Sequence, residues 1–148
     1  MAFFSHRALF CALLALWACD KTSSKAHGEA GRAYELSAEV KGQGSQRMLQ
    51  LQLRALQDFK VNSEYPMRFV PARTQTEVLF SKTEFKLESV KNSPCPKKQD
   101  SVCAVETSVP FEVTEQATHV DGVLKMSVCS LDKCLIEKVA VKAKIPQG

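Results

Sequence analysis

No stretch of this sequence is apolar for long enough to cross a bilayer. A helix needs about 20 consecutive apolar residues to do so, and the run from Ala8 to Ala18 (ALFCALLALWA) is far shorter. Histidine is scarce: His6, His27 and His119 are the whole set. His119-Val120-Asp121 sets a base near a carboxylate, but no serine nucleophile motif or third partner accompanies it, and His119 reads as an exposed loop residue. Basic residues form no block of the kind that binds nucleic acid. The formal charge of +4 is scattered, and the short Lys97-Lys98 cluster is answered by Asp100. Acidic residues are dispersed at alternating outward positions, which describes a wet face and not a paired-carboxylate site. Met67 and Met126 sit in apolar rows and read as core, not as copper ligands. Internal repeats and a second domain are missing, and nothing calls for a cofactor.

The N-terminus falls into three parts: a short start carrying His6 and Arg7, the apolar run Ala8–Ala18, and an abrupt polar turn at Asp20. This is the layout of a secretory signal. Its last residues, Leu16-Trp17-Ala18-Cys19, resemble a bacterial lipobox, with an aliphatic residue at −3, a small one at −1 and cysteine at +1. The resemblance implies that residues 1–18 are removed and that Cys19 becomes the lipid-anchored first residue. Each buried CH₂ of the attached chains would add roughly 0.8 kcal/mol of membrane affinity. The alternative is an ordinary signal cut near Ala18, leaving Cys19 a plain thiol. Either way the expected setting is the bacterial cell envelope, facing the periplasm or the cell surface. Arg7 is the only charged residue lost, so the remaining 130 residues carry a formal +3. That is the size of one domain.

Residues 19–33 hold the candidate lipidated cysteine and a polar stretch without hydrophobic periodicity, expected to be a flexible tether. From Tyr34 to Gly148 the pattern changes to period two. Tyr34, Leu36, Ala38 and Val40 form one apolar row, and Leu49, Leu51, Leu53 and Ala55 a second. Val105, Thr107, Val109, Phe111 and Val113 form a third, and Val139, Val141, Ala143 and Ile145 a fourth. Such rows mark strands with one buried face and one wet face. Pro66–Val70, Glu77–Phe80, Glu84–Val90 and Val123–Cys129 are shorter candidates. Turns are expected at Lys41–Gly44, Val61–Ser63, Asn92–Pro94 and Asp121-Gly122, the last a hairpin-type dipeptide. Met48–Phe59 is rich in helix formers, but its strict leucine alternation favours a strand. Seven or eight short strands predict an all-β, immunoglobulin-like antiparallel β-sandwich.

Cys11 would leave with the signal and Cys19 would carry lipid, so four cysteines remain: Cys95, Cys103, Cys129 and Cys134. An even set in an exported chain implies two disulfides, with three conceivable pairings. The local pairs Cys95–Cys103 and Cys129–Cys134 are expected, because each bounds one turn-rich segment. Zinc is disfavoured, since CX₇C and CX₄C are not the usual knuckle spacings and an oxidising compartment depletes free thiolates. Cys95 and Cys103 flank a polar loop, Pro96–Val102. Closing it contributes on the order of 2–3 kcal/mol and reads as a structural staple. Cys129 ends one strand and Cys134 begins the next, so their sulfurs face each other at a hairpin mouth. A cross-strand bridge in so tight a hairpin is often strained, which eases its reduction.

The stretch Val123–Val139 (VLKMSVCSLDKCLIEKV) resembles the end of the N-terminal periplasmic domain of the DsbD-type thiol:disulfide interchange proteins, also called the disulfide bond corrector domain. Phe59-Lys60-Val61-Asn62-Ser63-Glu64-Tyr65-Pro66 is similar to the Tyr-Pro stretch of standalone members. The resemblance covers the layout of Tyr34–Ile145 and implies an immunoglobulin-like sandwich with one redox cysteine pair, Cys129 and Cys134. It implies electrons taken from a membrane-bound thiol donor, here a separate protein, and passed to periplasmic disulfide proteins. It also suggests Phe59–Tyr65 as a cover over the pair. The other expectation is a non-enzymatic envelope lipoprotein whose sandwich binds a protein partner, with both disulfides structural.

Overall fold

The four alternating rows become four long strands, and the space between their buried faces is the core. The computed structural model describes residues 24–26, 33–96 and 98–147; the expected signal segment, Cys19 and His27 lie outside them. The strands are β1 (Ser24–Ala26), β2 (Tyr34–Lys41), β3 (Gln46–Ala55), β4 (Lys60–Val61), β5 (Arg68–Pro71) and β6 (Val78–Leu79). They continue with β7 (Phe85–Lys86), β8 (Lys91–Cys95), β9 (Lys98–Val113), β10 (His119–Cys129) and β11 (Cys134–Lys144). No helix occurs among the described residues. One sheet runs β1-β2-β3-β9-β6, with β8 also on β9; the other runs β11-β10-β5-β7, with β4 also on β10. Every pairing is antiparallel.

The fold is therefore an all-β, two-sheet sandwich. Its core holds Leu36, Leu49, Leu51, Leu53 and Val109 from the first sheet and Phe69, Leu124, Met126 and Val141 from the second. Fully burying each such side chain contributes about 1.5–3 kcal/mol. Phe80, in the loop between β6 and β7, joins the two layers. Its ring stacks on Phe111 of β9 at 5.4 Å and lies 5.9 Å from Phe69 of β5 and 5.8 Å from Phe85 of β7. The one buried hydroxyl in the Val105–Val113 row, Thr107 Oγ1, donates to the Glu88 carbonyl at 2.9 Å. Met67 and Met126 are core residues.

Four local expectations are corrected. Asp121-Gly122 is no turn but the interior of β10, where Gly122 pairs with Val141 on one side and Pro71 on the other. The glycine is there for closeness. A Cβ on it would sit 2.5 Å from Phe69 Cε2 and 2.8 Å from the Val70 carbonyl oxygen. Asn92–Pro94 is likewise not a loop, since β8 pairs with β9, and register shifts around Pro94 accommodate a residue that has no N–H to donate. The supposed polar loop after Cys95 is mostly the start of β9. Within the expected tether, Ser24–Ala26 pair with Leu36–Ala38 of β2. In both segments a sheet edge bonds through backbone N–H and C=O groups, which requires no apolar periodicity.

On the wet face of the second sheet, Arg68 and Lys125 stand directly opposite each other, a repulsive cross-strand pair. Glu84 resolves it, with Oε1 2.6 Å from Arg68 Nη1 and Oε2 3.2 Å from Lys125 Nζ. Hydrogen bonds from Arg68 and then Lys125 hold the Glu84 carboxyl below its usual range. A depressed carboxyl adds stability above its unfolded pKa and loses it as pH falls through the folded one. Wild type should therefore exceed Glu84→Gln in urea midpoint at neutral pH, and the gap should close below about pH 4. A gap that is constant with pH would refute the electrostatic origin.

Candidate functional site

The site is built where β10 ends and β11 begins. Cys129 and Cys134 are the last register pair of that hairpin, with Cα atoms 4.0 Å apart and a disulfide between them. Ser130 shapes the four-residue turn: its N–H donates to the Lys133 carbonyl at 2.8 Å, while the Asp132 and Lys133 N–H groups donate to its Oγ at 3.3 Å each. Such a serine makes its own local turn and needs no glycine. The two sulfurs differ in access. Cys129 is 7% exposed, whereas Cys134 lies on the surface. Leu131 and Ile136 beside it are 85% and 64% exposed, among the few large apolar side chains that face water.

The second predicted disulfide, Cys95–Cys103, is also present, with Cα atoms 4.8 Å apart and both cysteines half-buried. The two bridges, treated separately at the level of sequence, prove to be neighbours. Cys95, Cys103 and Cys129 border one cleft of about 760 Å³, together with Phe59, Leu131 and Leu135. Sequence spacing carries no trace of this, because β9 and β10 belong to different sheets.

Part of the expected cover is in place. Gln57 bends the chain with φ 55°. Lys60 and Val61 then form β4 opposite Cys129 and Val128. The Asn62 N–H donates to the Ser127 carbonyl at 3.0 Å. Asn62 Oδ1 accepts from the Glu64 N–H at 3.1 Å, and this turns the chain away as expected at Val61–Ser63. Phe59 and Lys60 thus flank the cleft, while the remainder of the segment leaves it. Nearby, the Tyr34 hydroxyl is buried with no hydrogen-bond partner. Burial first, and the Glu137 carboxylate second, push its pKa above the ordinary tyrosine value. The phenol stays protonated at any physiological pH.

His119 is the first residue of β10, not a loop residue, and its Nε2 lies 3.1 Å from Asp121 Oδ2. Residues i and i+2 share a face of a strand, which explains the contact. The pair sits at the opposite end of β10 from Cys129, roughly 30 Å away at strand rise, so it takes no part in sulfur chemistry. Among the described residues, no group of three or more His, Cys, Asp or Glu side chains could hold a metal ion. What the arrangement can do chemically is open and re-form a disulfide at the accessible Cys134 sulfur, with Cys129 as the sheltered leaving group. Sequence reasoning missed Ser127. Its hydroxyl lies 4.0 Å from Cys129 Sγ, since residues 127 and 129 share one face of the strand. In comparisons with protein-family models, curated proteins and solved structures, the chain matches none.

Proposed function

We propose that the protein is a membrane-tethered, extracytoplasmic β-sandwich that exchanges disulfides with thiol proteins through Cys129 and Cys134. The observation that carries this reading is the asymmetry of the bridge, one sulfur on the surface and the other sheltered beside a cleft. Exchange requires a sulfur that an incoming thiolate can reach. The likeness of Val123–Val139 to the DsbD-type N-terminal domain supports the same assignment, and with it an immunoglobulin-like kinship of the sandwich. On that reading a membrane thiol donor supplies electrons and periplasmic disulfide proteins receive them. The test is the reduction potential of the Cys129–Cys134 bond in a glutathione redox buffer. An exchanging bond lies well above about −300 mV, and a structural one below it.

A second reading has its own observation. Leu131 and Ile136 put apolar surface into water at the hairpin, as in a protein-binding module, and in a non-enzymatic envelope lipoprotein both disulfides would be structural. A potential below about −300 mV would leave this reading standing and remove the first.

Tethering rests on Leu16-Trp17-Ala18-Cys19 and is tested separately. Cys19→Ser should abolish acylation and shift the protein from the detergent phase to the aqueous phase on partitioning. Unchanged partitioning would rule out Cys19 as the anchor.

A further inference from the structure

We propose that Ser127 is a catalytic residue of this exchange: its hydroxyl stabilises the thiolate that forms on Cys129 when an external thiolate attacks Cys134. The inference rests on the disulfide-exchange reading of the Cys129–Cys134 pair.

Along β10, Val120, Gly122, Leu124, Met126 and Val128 point into the core, and the positions between them up to Lys125 are only partly covered. The alternation then fails. Ser127 belongs by parity to the outward face with Val123 and Lys125, yet it is 1% exposed. A hydroxyl so deeply buried needs a partner, and the side-chain partner the structure provides is Cys129 Sγ, 4.0 Å away and two residues along the same face. A disulfide sulfur carries no proton, so the hydroxyl is the donor. Toward a disulfide this is a weak bond.

Exchange changes the acceptor. A thiolate from an external dithiol attacks Cys134 Sγ, forming a mixed disulfide and breaking the Cys129–Cys134 bond. The electron pair of that bond leaves on Cys129 Sγ. The second sulfur of the dithiol then attacks its own mixed disulfide and releases the Cys134 thiolate. The dithiol ends as a disulfide, the protein has gained two electrons, and protons from solvent complete the two thiols. In the first step the charge appears on the sheltered sulfur, where burial disfavours an anion. There the Ser127 O–H···S contact becomes charge-assisted and much stronger. The serine thus acts where charge develops, which lowers the barrier and not merely the energy of the closed bond. Attack in the opposite sense, on Cys129, would leave the charge on the exposed Cys134, where water already solvates it.

The experiment measures the second-order rate constant for opening of Cys129–Cys134 by dithiothreitol, read by alkylation and mass, in the full chain. Ser127→Ala should slow it about tenfold, the usual effect of a hydrogen bond to a charged group. Ser127→Thr, which keeps the hydroxyl, should stay near the wild-type rate. Opening of Cys95–Cys103 in the same samples should be unchanged by either substitution. A merely structural serine gives the opposite sign, because loosening the hairpin exposes the bridge and speeds its reduction. An unchanged or faster rate for Ser127→Ala, or a Thr variant as slow as the Ala one, overturns the proposal. The exchange reading fails on an equilibrium potential and this one on a rate, so the two failures are distinguishable.

Discussion

Titrated with a mild reductant, the protein should open Cys129–Cys134 while Cys95–Cys103 remains closed, with the two equilibrium constants differing by about a hundredfold, or roughly 60 mV. Access favours this order, since Cys134 is the exposed sulfur of the four and both cysteines of the other bridge are half-buried. Placement favours it too. The Cys129–Cys134 bridge closes a turn that Ser130 already holds by its own hydrogen bonds, so its loss releases little chain. Cys95–Cys103 clamps β8 onto β9 where the register slips around Pro94, so its loss frees the irregular end of that pairing. The singly opened form should keep its far-ultraviolet β signature, because the sheets rest on the buried rows of β2, β3, β9 and β11. Stepwise reduction with alkylation and peptide mass mapping reads the order directly. Simultaneous opening, or Cys95–Cys103 first, would sink the redox reading.

Gly122→Ala should cost about 3 kcal/mol, which for a domain of this size lowers the melting temperature by roughly 12 °C. The added methyl would lie 2.5 Å from Phe69 Cε2 and 2.8 Å from the Val70 carbonyl oxygen. Neither neighbour yields easily. Phe69 is fully buried and packs against Phe80, and the carbonyl belongs to the β5 backbone paired with β10. Phe69→Leu in the same chain removes the ring but not the carbonyl, so it should recover only part of the loss. The double substitution should still cost less than the two single ones added together. A Gly122→Ala protein that melts with the wild type would refute the close approach of β5 and β10.

These outcomes divide what the sequence reveals from what it conceals. Leu49, Leu51 and Leu53 declare β3 despite its helix-forming composition, because burial on one face imposes a period of two whatever the local propensity. The cysteine pairs are legible for a similar reason: each is separated by one turn, and proximity along the chain is proximity in space. Asp121-Gly122 misleads because the dipeptide suits a turn, whereas the glycine answers a ring that arrives from fifty residues away in the chain. β8 and β1 are concealed because backbone pairing at an edge leaves no side-chain pattern. Ser127 is hidden differently. A serine between Met126 and Val128 reads as the wet face of a strand, and only the three-dimensional cover of that face turns it into the neighbour of a sulfur.

The register of β1 has a geographical consequence. Ser24 lies against Ala38 and Ala26 against Leu36, so Ser24 is the end of β1 nearer the Gly42–Gly44 hairpin. The cleft lies at the other end, beside Ala33 and Gln57. Four residues separate Cys19 from Ser24, and five fully extended steps of the chain reach no more than about 18 Å. If Cys19 carries lipid, as proposed, the anchor is therefore tied within that reach to the end of β1 farther from the cleft, and the disulfides would stand off from the bilayer. On that proposal, a thiol donor that meets this cleft would do so through a domain of its own standing above the lipid surface.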